Sequence, residues 1–167
     1  MIFTERAEAL RRRVLSRWSF AAYLWRYLPL AAFSGMRLRR LEAGECSVWL
    51  PGGWRTRNPF GSTYFGAQCM AAEMSTGAPA LVLAAGATAS VAVIVVSLQA
   101  RFLKRVVGGS LYTFSDLAGM RDAIERAATS DEPATFLART VARTADGELA
   151  SEFEVTWSFK RRGSGGA

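Results

Sequence analysis

The residues best placed to do chemistry lie in one stretch, RNPFGSTYFGAQCMAAEMSTG from Arg57 to Gly77, where a single acid, Glu73, stands among Ala, Met, Cys and Gly. Asn-Pro and two glycines come first, so the segment reads as a turn feeding a helix whose start lies near Ser62 or Thr63, either hydroxyl fitting an N-cap. A helix start leaves backbone N–H groups unpaired and carries partial positive charge, so it polarises a carbonyl oxygen brought against it. Gly66 lets a substrate approach the backbone closely, which makes the amides of Gly66 and Ala67 the candidate donors. Glu73 follows Gly66 by seven residues, two turns along the same helix face. A carboxylate in an apolar groove is desolvated, its pKa rises, and it becomes suited to general-base work near neutral pH. Donors and acid together describe attack on an activated carbonyl, by water or by the carboxylate itself. Thr76, at i+3 from Glu73, shares that face and is placed to hold the water, while Asn58 offers a side-chain hydrogen bond to the carbonyl or the acid.

Composition narrows the chemistry. The 167 residues hold no histidine, which removes Ser-His-Asp and Cys-His nucleophiles, His metal sites and His-dependent dehydration. Cys46 and Cys69 have no zinc or CxxC spacing and read as small buried hydrophobes in a reducing cytoplasm. No metal or cofactor is expected. Residues 1–40 carry nine arginines against Glu5 and Glu8, which accounts for the whole net charge of +7. That stripe, densest in RAEALRRRVLSR, suits an anionic lipid, an acidic protein or nucleic acid, or is a solvated helix face. Aromatic residues do not interleave as in a nucleic-acid sheet reader, so no nucleic acid is expected. Residues 74–100 form a 27-residue neutral run, but Pro79 early in it, a turn at Gly86–Ser90 and the change from Ala/Leu to β-branched residues argue against a membrane span.

The elements that must position Glu73 can be read in outline. Residues 3–28 form an amphipathic helix, with Leu10, Val14, Trp18, Ala22, Trp25 and Leu28 on one face and arginines on the other, closed by Pro29 and Gly35. Residues 36–51 form a strand or bent strand pair. The second helix runs on toward Ala84, and its small residues let it sit close to its neighbours. SVAVIVVSLQARFLKRV is a long, buried, central strand and GSLYTFSDL another; DLAGMRDAIERAAT is a short helix capped by Asp116. A closing hairpin turns at Asp146-Gly147. One α+β domain over 1–162 follows, with an N-terminal helix (1–30), a core (36–162) and a disordered tail (163–167). An antiparallel sheet of five or six strands wraps one buried helix.

The motif NPFGSTYFGAQCMAAEMSTG, with Asn58, Gly61, Ser62, Tyr64-Phe65-Gly66-Ala67, Glu73 and Gly77, resembles that of the hotdog-fold thioesterase superfamily, most closely its domain-of-unknown-function branch. LWRYLPLAAFSGMRL and ADGELASEFEVTWSFKR resemble the same branch's lead-in and last hairpin. The resemblance implies a hotdog fold and hydrolysis of an acyl thioester on coenzyme A or an acyl carrier protein, the coenzyme A being part of the substrate. It also implies a homodimer or a dimer of dimers with a site built across subunits, so that Asn58 and Glu73 act from different copies. Phe65-Gly66-Ala67 replaces the His-Gly-Gly of many relatives, Gln68 takes a Leu-like position, and Glu73 sits one residue nearer the glycine than their acid.

On this reading Phe65, Gln68, Met70, Met74, Leu81 and Phe102 line the acyl groove, and Arg57, Arg101, Lys104 and Arg105 hold the coenzyme A phosphates. The alternatives are a structural Glu73–Arg101 or Glu73–Arg105 pair, a packing role for Gly66 and Ala67, a turn role for Asn58, a back-bonded Thr76 and solvated basic residues. The five tryptophans read as core or interface. Two other functions fit: a fatty-acyl-binding protein without catalysis, and peripheral contact with anionic membranes through the first helix.

Overall fold

Residues 2–163 are described in a computed structural model; of the expected disordered tail, 164–167 lie outside them. The N-terminal segment is three helices rather than one, α1 (Glu5–Leu15), α2 (Arg17–Tyr27) and α3 (Pro29–Ser34). Ser16, in an extended conformation, ends α1 and begins α2, a position where serine competes well with helical hydrogen bonding. The break re-aims the chain, so Ala7 and Val14 are buried from α1 and Phe20 and Leu24 from α2. Trp18, Trp25 and Leu28, expected inward, are exposed. Pro29 opens α3, since its fixed φ suits a first helical position, and Gly35 closes it with φ 77°.

Six strands follow: β1 (Arg37–Leu41), β2 (Cys46–Leu50), β3 (Val91–Phe102), β4 (Ser110–Phe114), β5 (Ala134–Thr144) and β6 (Leu149–Arg161). They form one antiparallel sheet in the order β1-β2-β4-β5-β6-β3. Helix α4 (Phe65–Ala85) lies against it, and Ala71, Ala72, Ser75, Thr76, Pro79, Ala80 and Val82 are buried there. Small side chains let the helix sit close to the strands, as the hotdog resemblance implies. Helix α5 (Leu117–Thr129) starts at Asp116, whose carboxylate accepts from the Gly119 amide.

Two expectations need correction. Pro79 lies inside α4 and does not interrupt it; the neutral run is instead divided between α4 and β3, and no described helix is long and apolar enough to cross a membrane. Strand β3 is not central. It lies at a sheet edge, pairs only with β6, and exposes Ile94 (65%) and Val96 (60%) despite its β-branched character. Val93, Leu98 and Ala100 pack against the core while Ile94 and Val96 lie uncovered within this chain, so composition alone does not tell the two apart. Cys46 is buried and Cys69 half-buried, and burial pushes both thiols up, so they stay neutral.

Candidate active site

The loop before α4 is built around Asn58. Its Oδ1 accepts from the Phe60 amide (3.0 Å), the Ser62 amide (3.1 Å) and the Ser62 hydroxyl (3.2 Å). Asn58 is therefore a turn residue through its oxygen, while its Nδ2 has no acceptor among the described residues. Arg105 donates to the Phe60 carbonyl (2.5 Å), and the Thr63 amide donates to that of Val106, tying the loop to the segment after β3. Neither expected cap acts as one. Tyr64 is the N-cap without a side-chain bond, Ser62 is turned to Asn58, and the Thr63 hydroxyl donates to the Gly108 carbonyl.

The helix start keeps free donors, one residue earlier than expected. The Ala67 amide donates to the Tyr64 carbonyl (3.0 Å), whereas those of Phe65 and Gly66 find no acceptor among the described residues. A Cβ on Gly66 would lie 2.5 Å from Cε1 of Tyr64, so the glycine makes room for that ring. Gln68 is buried and does not line a groove: its Nε2 donates to the Thr63 carbonyl and its Oε1 accepts from Ser151, pinning the helix start to β6. Phe65 stands exposed, edge-on to Phe102 with centroids 6.5 Å apart, and Phe102 meets Phe153. Arg101 lies 3.9 Å from Glu152, and Lys104 pairs with Glu148. The basic residues thus gather at the donor end of α4, beside the aromatic pair.

Glu73 sits two turns away in different surroundings. It faces an apolar cavity of about 230 Å³ lined by Phe20, Tyr23, Leu24 and Leu28 of the N-terminal helices, Met74 and Leu81 of α4, Val93 of β3 and Trp157 of β6. No hydrogen bond or ion pair to its carboxylate is found among the described residues. Arg101 and Arg105 are engaged elsewhere, so the structural pair weighed from the sequence is absent. Burial alone pushes the Glu73 carboxyl above its usual range, as expected when an apolar wall replaces water.

Thr76, Trp157 and Gly77 surround this carboxylate. Thr76 is not a water holder: its hydroxyl donates back to the Glu73 carbonyl (2.9 Å) and accepts from Nε1 of Trp157 (3.0 Å). Its proton serves the helix backbone and one lone pair fixes the indole that walls the cavity. Gly77 supplies the space, since a Cβ there would lie 2.8 Å from Oε1 of Glu73 and 3.2 Å from Cη2 of Trp157. Tyr23 and Trp157 carried no local signal, because strands and helices far apart in sequence bring them in. Met70 is half-buried against the core and does not border this cavity. The groove inferred from Met70, Met74, Leu81 and Phe102 therefore divides, with Met74 and Leu81 at the acid and Phe102 at the donors.

A family model described as a domain of unknown function, DUF4442, matches residues 16–158. This chain belongs to that family. No curated protein matches it. The DUF4442 fold is shared with solved structures of low identity. A Pseudomonas aeruginosa protein of unknown function, described as a probable thioesterase, is 22% identical, with TM-score 0.69 over 86% of this chain and 95% of the other. A Haemophilus influenzae thioesterase is 14% identical, with TM-score 0.64 over 86% and 89%. A Chlorobaculum tepidum protein of unknown function is 10% identical, with TM-score 0.73 over 89% and 98%. These likenesses show the hotdog fold.

Proposed function

We propose that this DUF4442 protein hydrolyses acyl thioesters, as acyl-CoA or acyl carrier protein, in a homodimer whose sites each draw on both copies. One observation carries the reading: Glu73, an acid with no partner among the described residues, is held in an apolar cavity within the motif that resembles the thioesterase superfamily. Solved structures of the same fold bear the name thioesterase, which supports the reaction class.

The case for a second copy rests on where the two groups face. Seven residues of helix separate Gly66 from Glu73, about 10 Å of rise. The donors of one copy lie beside the Phe65–Phe102 pair, whereas its acid faces the cavity under the N-terminal helices, so the two groups open on different surroundings. Glu73 lies near the middle of α4, and a two-fold axis running the two α4 helices antiparallel brings the donors of one copy toward the acid of the other. Edge strand β3, long, apolar and unpaired on one side, is the natural seam, because such an edge left open invites pairing. The cavity also falls short of the roughly 300–1,000 Å³ of whole small-molecule sites, as half a site should.

In the proposed step the Glu73 carboxylate takes a proton from water and the oxygen attacks the thioester carbon. Negative charge gathers on the carbonyl oxygen against the Phe65 and Gly66 amides of the other copy. The C–S bond breaks, the thiolate takes the proton from Glu73, and a carboxylic acid and a thiol leave. Arg101, Lys104 and Arg105 receive the phosphates of coenzyme A at the donor end.

One observation favours a second reading. No side chain among the described residues hydrogen-bonds the Glu73 carboxylate, and the Thr76 proton goes to the helix backbone; a fatty-acyl binder needs no group to orient a water there. Steady-state turnover across acyl-CoA chain lengths and acyl carrier protein separates the two. The hydrolase reading expects turnover that Glu73→Gln lowers by at least about a hundredfold. Equal, negligible rates for both proteins with an acyl chain retained by the wild type would establish the binder instead.

A further inference from the structure

The outermost side chains of the N-terminal helices, Trp18 and Trp25 among them, serve neither the core nor the Glu73 cavity. Trp18 and Trp25, seven residues apart on α2, stand 79% and 63% exposed. They border a groove of about 430 Å³ floored by Val14, Phe20, Leu24 and Met36, with Arg37 and Arg39 of edge strand β1 across from them. The surface continues from Gly35 at one end of that groove. A Cβ on Gly35 would lie 3.7 Å from the Arg55 guanidinium, which sits over the rings of Phe33 (6.0 Å) and Trp54 (5.6 Å). Those two rings meet edge-on at 5.6 Å. Leu30 and Trp54 are each 70% exposed.

Charge is organised with this apolar surface. Among the described residues up to Arg57, ion pairs engage only Arg11, Arg12 and Arg40. Arg17, Arg26, Arg37, Arg39 and Arg55 have no acidic partner, and three of them stack on exposed aromatic rings instead. Stacking leaves the guanidinium edges facing outward, where they donate to phosphate in a planar fork. Protruding Trp and Leu beside unpaired arginine is the composition that partitions into a lipid interface, rings at headgroup level and cations on anionic headgroups.

We propose that this aromatic–guanidinium face of α2, α3 and the turn around Trp54 docks on an anionic lipid surface. A bilayer suits it better than a folded partner, since exposed Trp18, Trp25, Leu30 and Trp54 stand beside guanidinium groups with no acidic partner among the described residues. Helix α2 has a second side. Phe20 and Leu24 also line the Glu73 cavity, and half-exposed Leu28 lies at its border, so docking sets the cavity beside the membrane. The docking does not depend on the hydrolase reading.

Flotation of the full chain with phosphatidylcholine vesicles, with and without phosphatidylglycerol, tests it. Binding is expected only with the anionic lipid, to weaken with added salt, and to quench tryptophan emission when the acyl chains are brominated. Trp18→Ala/Trp25→Ala/Leu30→Ala and, separately, Arg17→Gln/Arg37→Gln/Arg39→Gln should each lower partitioning by at least about tenfold, with melting temperature and oligomeric state unchanged. No binding to anionic vesicles, or wild-type binding by both variants, overturns the proposal. So does a variant that dissociates the oligomer while vesicle binding is absent, because the face then belongs to a second copy.

Discussion

Gly77→Ala separates the placement of Glu73 from the integrity of the helix. In an ordinary helix interior, alanine in place of glycine adds about 1 kcal/mol of stability. Here the new methyl would stand 2.8 Å from Oε1 of Glu73 and 3.2 Å from Cη2 of Trp157. The indole cannot easily retreat, because its Nε1 is bonded to Thr76 at 3.0 Å in a buried setting. The carboxylate ends a flexible side chain and is the group that moves. Overpacking against the ring costs on the order of 1 kcal/mol, which offsets the helix gain. The melting temperature should therefore shift by no more than about 4 °C. Activity should not be spared. A displacement of about 1 Å at a reacting group costs on the order of a hundredfold in rate, so kcat/KM toward an acyl-CoA should fall by at least about tenfold. Thermal melts and steady-state kinetics on the same preparation give both numbers. A variant stabilised by the full alanine increment, with wild-type kcat/KM, would refute the claim that Gly77 sets the position of a working carboxylate.

The remaining predictions concern the same neighbourhood. The folded Glu73 carboxyl binds its proton more tightly than in the unfolded chain, so its contribution to stability is fully present below the ordinary glutamate pKa and lost as pH rises through the raised folded value. Glu73→Gln should thus be more stable than wild type in neutral and alkaline urea titrations, with the gap closing in acid; a gap independent of pH would contradict the buried, unpaired carboxylate. Thr76→Val leaves the Trp157 indole N–H unpaired and should cost about 1–3 kcal/mol by chemical denaturation. Asn58→Ala removes an oxygen accepting three hydrogen bonds and should cost on the order of 1 kcal/mol, with faster amide exchange at Phe60 and Ser62.

Local signals carried much of this structure. Asp116 before a periodic helix, Asp146-Gly147 between alternating strands, and a run of small residues too apolar for a surface helix each named their element correctly. Glu73 was legible for the same reason, as the one charge in a segment built for burial. What failed was whatever depended on which elements meet. The β-branched run of β3 reads alike whether a neighbour covers it or a sheet edge leaves it open. Ser16 has the propensity for a cap, but only the core beneath explains a break there. Asn58 and Thr76 have side chains suited to the chemistry, yet the Asn58 oxygen serves the Phe60 amide and Ser62, and the Thr76 hydroxyl serves its own helix turn and Trp157. Gly77 was seen as part of a motif, and its purpose appeared only when Trp157, eighty residues on, stood beside it.

The pH dependence of kcat/KM for acyl-CoA hydrolysis, in wild type and Glu73→Gln, tests the central claim most directly. A desolvated carboxylate acting as base predicts a wild-type rate that falls on the acid side through an apparent pKa above the usual carboxylate range, with that limb and most of the rate lost in the variant. A variant that keeps the wild-type rate and profile would contradict it.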